Sequence, residues 1–150
     1  ACSMGNPHCT YFVDDLTAVE IETIGPAIET NPLFPLRTNV HFVRIIDRAR
    51  IRLRIWERGG GIPLGSGSCS CGAAVNGIRR GLLDNSVEVE CDGGTVTVQW
   101  DGVGSVFLTG PVAMRSRYLW HLQNQPPAGC RLGRTGPWPR PDGGRHTHWK

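Results

Sequence analysis

Residues 56–75, WERGGGIPLGSGSCSCGAAV, hold the residue types in this chain best suited to chemistry. Glu57 and Arg58 set a carboxylate beside a fixed cation, three glycines follow at once, and Gly65, Ser66, Gly67 and Ser68 lead into a run of small residues. Strand-like alternation, then a glycine loop, then a helix-forming run predict a backbone that leaves a strand and enters a helix within a few residues. Such a helix start gathers free N–H groups and the positive end of the helix dipole at one point, which attracts an anion. A phosphate or a carboxylate would fit equally. A base or acid and a fixed cation beside an anion hole suit a zwitterionic ligand. The bland alternative is a plain strand-loop-helix connection with Glu57 and Arg58 as a surface pair.

Elements on either side must hold this stretch in place. Ile51, Leu53 and Ile55 alternate with Arg50, Arg52 and Arg54, so residues 50–56 read as a strand with one buried face and a solvated arginine face. Residues 39–46 read as its partner across a turn at 47–49. Upstream, a short strand at 11–13 ends at Asp14 and Asp15, and Thr17 is placed to cap a helix to about residue 30. Pro26 falls inside that window and should kink or split the helix. Downstream, a helix over 66–78 is rich in Ala and Gly, which allows close approach to other elements. Strands at 87–90, 95–100 and 106–109 follow, separated by DGG and DGVG turns. The pattern is α+β, antiparallel, with a central helix.

The formal net charge of +3 conceals an asymmetry. Residues 1–114 carry nine arginines against twelve carboxylates, whereas residues 115–150 carry six arginines and one lysine against one aspartate. A mildly acidic body gives no reason to expect nucleic acid or a membrane surface as partner. The tail, rich in Pro, Gly and Trp, has no usable periodicity beyond a short YLWHL run and is expected to be poorly ordered. Its HTH pair is too weak a pattern to define a metal site. Six unevenly spaced cysteines and the absence of a leader favour reduced thiols in a cytosolic protein, and no apolar run approaches the ~20 residues of a membrane helix. The chain enters a strand almost at once, so it reads as the C-terminal piece of something longer.

Five segments, GNPH at 5–8, RTNV at 37–40, WERGGG at 56–61, LGSGSCSCGAAV at 64–75 and LTGPV at 108–112, resemble in order and spacing the C-terminal half of the diaminopimelate epimerase family. The resemblance spans about residues 1–114. It implies a domain of antiparallel strands wrapped around a central helix, one of two similar domains that close on an amino-acid substrate, diaminopimelate. It also implies a reaction without cofactor or metal, in which one base removes the α-proton and an acid on the opposite face returns one. On the matching positions, Asn6 and Asn39 would bind the distal end of the substrate, Arg58 its carboxylate, and Gly67 and Ser68 the anion at the helix start. Glu57 would pair with this half's catalytic residue. His8 would pair with that of the first half, which is not in this chain.

Where the family segment reads L-A-C-G-T-G-A-C-A, this chain has Leu64 to Gly72 as LGSGSCSCG. Ser66 therefore stands at the catalytic cysteine position, Cys69 replaces a glycine, and Cys71 matches a second, non-catalytic cysteine. Ile62 and Pro63 replace residues of the usual GET triplet. A serine hydroxyl is a far poorer base than a thiol near neutrality and needs an activating group. The expectation is an epimerase-type domain whose activity alone is doubtful. A related cofactor-independent racemase, an inactive remnant, and a tail that binds nucleic acid are the other readings.

Overall fold

The computed structural model describes residues 1–112. The segment expected to be a poorly ordered tail, 115–150, lies outside the described residues. Seven strands and two helices follow in the order β1 (Cys2–Ser3), β2 (Pro7–Phe12), α1 (Ile21–Glu29), β3 (Asn39–Asp47), β4 (Arg50–Trp56), α2 (Gly67–Arg79), β5 (Ser86–Cys91), β6 (Gly94–Gln99) and β7 (Phe107–Thr109). All strands join one sheet whose spatial order equals their order along the chain. Neither helix is long and apolar enough to cross a membrane.

The α+β class holds, but the sheet is mixed rather than antiparallel. β2 pairs parallel with β3, and β4 pairs parallel with β5; the remaining neighbours are antiparallel. The cause is the connections: α1 lies between β2 and β3, and α2 between β4 and β5. A connection containing a helix returns the chain to the end of the sheet where it began, so the next strand runs parallel.

Other boundaries also differ from those expected. β2 begins at Pro7 and not at residue 11, and α1 begins at Ile21 after Glu20, without a side-chain cap. Thr17 is drawn away from a helix start because its N–H and hydroxyl both bond to Asp15 Oδ1, at 2.8 and 2.7 Å. α1 runs through Pro26 without being split. The arginine face of β4 is solvated as expected and ion-paired: Arg50 bonds Asp47 at 3.0 Å and Arg52 bonds Asp92. Ion pairs so open to solvent add little to stability.

Period-two geometry divides the core between the helices. Val43 on β3, Ile51, Leu53 and Ile55 on β4, and Val87, Val89 and Val98 beyond pack with Cys69, Ala73 and Ala74 of α2. On the other face of β3, Val40 and Phe42 meet Leu16, Ile21 and Trp56 beside α1. α2 contacts every one of the seven strands, which its small buried residues permit. α1 achieves its own close approach at Gly25, where a Cβ would lie 2.5 Å from Trp56 Cγ.

Polar side chains share the α2 face. The parallel register sets His8 beside Asn39 and Thr10 beside His41. His8 and His41 are 1% and 0% exposed, and their rings lie against Gly72, where a Cβ would be 3.1 Å from each. Burial, helped by the Arg58 charge, lowers the His8 pKa from the ordinary 6.5 to about 4. Burial and the neighbouring His8 lower His41 to about 3.

Two outcomes are expected. Gly25→Ala gains about 1 kcal/mol of helix propensity but overpacks against the Trp56 ring at a cost of about 1–3 kcal/mol; chemical denaturation should show net destabilisation, and a more stable variant would contradict the close approach. For the histidines, the unfolded chain binds protons below pH 6.5 that the folded chain refuses. Their contribution is thus complete above pH 6.5 and lost as pH falls toward 4 and then 3. Stability measured across that range should fall with an uptake of about two protons on unfolding, and His41→Gln should remove about one of them. An unchanged slope in His41→Gln would show that His41 titrates normally in the folded chain.

Candidate functional site

The chain turns at the end of β4 within five residues. Glu57 N–H donates to Gly61 O at 2.7 Å, while Gly60 and Gly61 N–H donate back to Glu57 O at 2.9 and 3.2 Å. Gly59 and Gly61 have φ of 73° and 78°, left-handed values that favour glycine. This closed turn fixes where Glu57 and Arg58 leave the backbone.

α2 then opens on Ser66, the N-cap, in extended conformation. An N-cap serine ordinarily accepts a hydrogen bond from a first-turn N–H. Here it makes none, and its hydroxyl donates instead to Glu57 Oε1 at 3.2 Å. The diversion has two effects. The first-turn N–H groups of α2, which have no intrahelical acceptor, are left to an outside anion. The Ser66 hydroxyl is also held on the Glu57 carboxylate. Cys69, one turn further along, does not offer a replacement base: it is 0% exposed, and burial raises its thiol to about 11.

Arg58 and the two asparagines meet at the neighbouring strand ends. Asn39 Oδ1 accepts from Arg58 N–H at 2.9 Å, and Asn39 Nδ2 donates to Pro7 O at 3.0 Å. Arg58 Nη1 donates to Leu36 O at 2.9 Å. Next to Pro7, His8 Nε2 and Asn6 Oδ1 are 2.9 Å apart. Ser66, Glu57, Arg58, Asn39, Pro7, His8 and Asn6 are thus connected by covalent links or hydrogen bonds. Gly67 and Ser68 begin the helix beside them. Asn39 is buried, and both its amide oxygen and its amide nitrogen are bonded within the chain.

Sequence reading missed the residues behind this frame. Glu29, 5% exposed at the end of α1, accepts Trp56 Nε1–H at 2.7 Å and Gly59 N–H at 3.1 Å, and pairs with Arg37 at 3.4 Å. It ties α1 to the turn that carries Glu57 and Arg58. His41 lies 3.1 Å from His8 through Nε2 and Nδ1, and its other nitrogen is 3.0 Å from Thr10 Oγ1. The available signal was a histidine among the apolar residues of the strand-like run NVHFV.

Comparison with known proteins gives the family. Residues 1–115 match the family described as diaminopimelate epimerase. A protein named diaminopimelate epimerase from Acidiphilium cryptum is 57% identical over 114 residues, which cover 76% of this chain and 41% of that protein. One of the same name from Gluconobacter oxydans is 49% identical over 111 residues, 74% of this chain and 42% of that protein. The chain therefore spans about two-fifths of the length of these relatives. Among solved structures, a phenazine biosynthesis protein PhzF family member from Enterococcus faecalis aligns at a TM-score of 0.52 with 12% identity, covering 69% of this chain and 36% of that one, a likeness of fold alone. By the match across residues 1–115, the chain belongs to the diaminopimelate epimerase family.

Proposed function

We propose that residues 1–114 are the C-terminal half of a diaminopimelate epimerase-type enzyme, with the strands wrapped around α2 as one of two similar domains. A first half supplies the other catalytic residue, the substrate lies between the two, and residues 115–150 are a tail outside the reaction. The enzyme acts in the cytoplasm and uses neither metal nor pyridoxal phosphate, interconverting LL- and meso-diaminopimelate for lysine synthesis. The observation that carries this reading is the diverted N-cap, with the Ser66 hydroxyl on Glu57 beside an open helix N-terminus.

In this reading the substrate α-carboxylate lies on the N–H groups of Gly67 and Ser68, which donate more strongly as negative charge develops on it. Arg58 takes the distal carboxylate, and Asn6 and Asn39 the polar groups beside it. His8 assists the first half's residue. On this side, proton transfer falls to Ser66, with Glu57 as the group that receives its proton. Retention of Asn6, Asn39 and Arg58 together favours diaminopimelate over the substrate of a related racemase. The second reading, an inactive remnant that keeps the binding frame, is favoured by the hydroxyl at the thiol position.

Solvent exchange of the α-proton in deuterated water separates these readings. The chain alone should incorporate no deuterium into LL- or meso-diaminopimelate. Supplied with the first half of the Acidiphilium cryptum relative, Ser66→Cys should exceed the Ser66 form by about 10²–10⁴-fold, the usual worth of a competent general base. A cysteine form that gains nothing while the serine form turns over would remove Ser66 from the catalytic position. Deuterium incorporation by the unaided chain would overturn the requirement for a first half.

A further inference from the structure

Behind the first turn of α2 three side chains converge that the proposed reaction does not use together. His8 on β2, His41 on β3 and Cys69 on α2 are all buried, and one ligand atom from each lies within 4.8 Å of the others. His8 Nδ1 and His41 Nε2 are 3.1 Å apart. Two imidazole nitrogens bound to one tetrahedral zinc stand ~3.3 Å from each other, so the rings are already at chelating separation.

The outer side of each ring is fixed as well. Asn6 Oδ1 lies 2.9 Å from His8 Nε2, Thr10 Oγ1 lies 3.0 Å from His41 Nδ1, and Asn76 Nδ2 donates to Thr10 Oγ1 at 2.8 Å. Metal-binding histidines are held this way, with the non-ligating nitrogen bonded to a polar neighbour that sets tautomer and ring orientation. Gly72 completes the arrangement by leaving the rings room against α2.

We propose that His8, His41 and Cys69 form a site of two nitrogens and one sulfur for a borderline-soft divalent cation, for which Zn²⁺ is the best match. Without the ion, a single N–H between the two rings joins them. On binding, that proton resides on the outer nitrogen of its own ring, each imidazole ligates as the neutral base, and the Cys69 thiol gives one proton to solvent. The fourth position is left to water or to an outside ligand. The ion would clip β2, β3 and α2 together and would take His8 out of the role proposed for it in the metal-free reaction. The inference stands on this geometry and does not depend on the epimerase reading.

The test is to refold the full chain with one equivalent of Co²⁺, supplied during refolding because the three ligands are buried, and to record the thiolate-to-cobalt charge-transfer band. A band is expected that Zn²⁺ displaces, that Cys91→Ser retains and that Cys69→Ser and His41→Gln lose, with affinity about 10–100-fold weaker in Thr10→Val. X-ray absorption on the zinc-loaded wild-type chain should give one sulfur at about 2.3 Å and two nitrogens at about 2.0 Å; it decides the matter alone if a variant fails to fold. A band that survives Cys69→Ser, a shell of nitrogen and oxygen only, as His146 and His148 would provide, or no retained ion would overturn the site.

Discussion

The close approach of α2 to the sheet is the constraint from which the rest of the structure follows. A helix can touch seven strands only if its inward side is small, and Cys69, Ala73, Ala74 and the glycines at 72 and 77 provide that. The interior is thereby filled mainly from the sheet side, by branched residues of β3 to β6, each worth about 1.5–3 kcal/mol when fully buried. The same closeness gives the buried histidines their place, since the rings occupy volume that a side chain at position 72 would claim. It also aims the helix N-terminus at the edge of the turn carrying Glu57 and Arg58, so core packing and site geometry have one origin.

The site, in turn, departs from what its local sequence favours. A serine at the N-cap would stabilise α2 by about 1 kcal/mol through an ordinary capping bond. Its hydroxyl instead faces Glu57 across a turn that needs left-handed glycines. Departures of this kind cluster where binding matters, because groups satisfied locally are not available to a ligand.

How much of this was legible depended on whether the information was local. β4 was readable residue by residue because Ile51, Leu53 and Ile55 alternate with arginines over one buried face. β2 was shortened because Gly5 and Pro7 resemble turn residues, although Pro7 only begins the strand. The parallel pairings were not visible, since strand composition does not state which neighbour a crossover will select. In the candidate site, Glu57 and Arg58 were legible as a charged pair beside a glycine loop, whereas Ser66 came from the family resemblance. Glu29 was not legible, because its burial depends on Trp56 arriving from 27 residues away. His41 was hidden for a related reason: helices cover both faces of β3, so its first five residues are all buried and the alternation that would expose an inward polar residue disappears.

The strand order has a further consequence at the margins of the sheet. Because the order is sequential, the two outer strands among the described residues are the first and last, and these are the shortest, Cys2–Ser3 and Phe107–Thr109. β1 covers β2 only at Pro7 and His8, so that margin continues along residues 9–12, and β7 covers β6 only from Thr97 to Gln99. The longest strands, β3 and β4, are enclosed within the order. The described strand order thus keeps the longest strands away from the margins, where templating of a foreign strand begins.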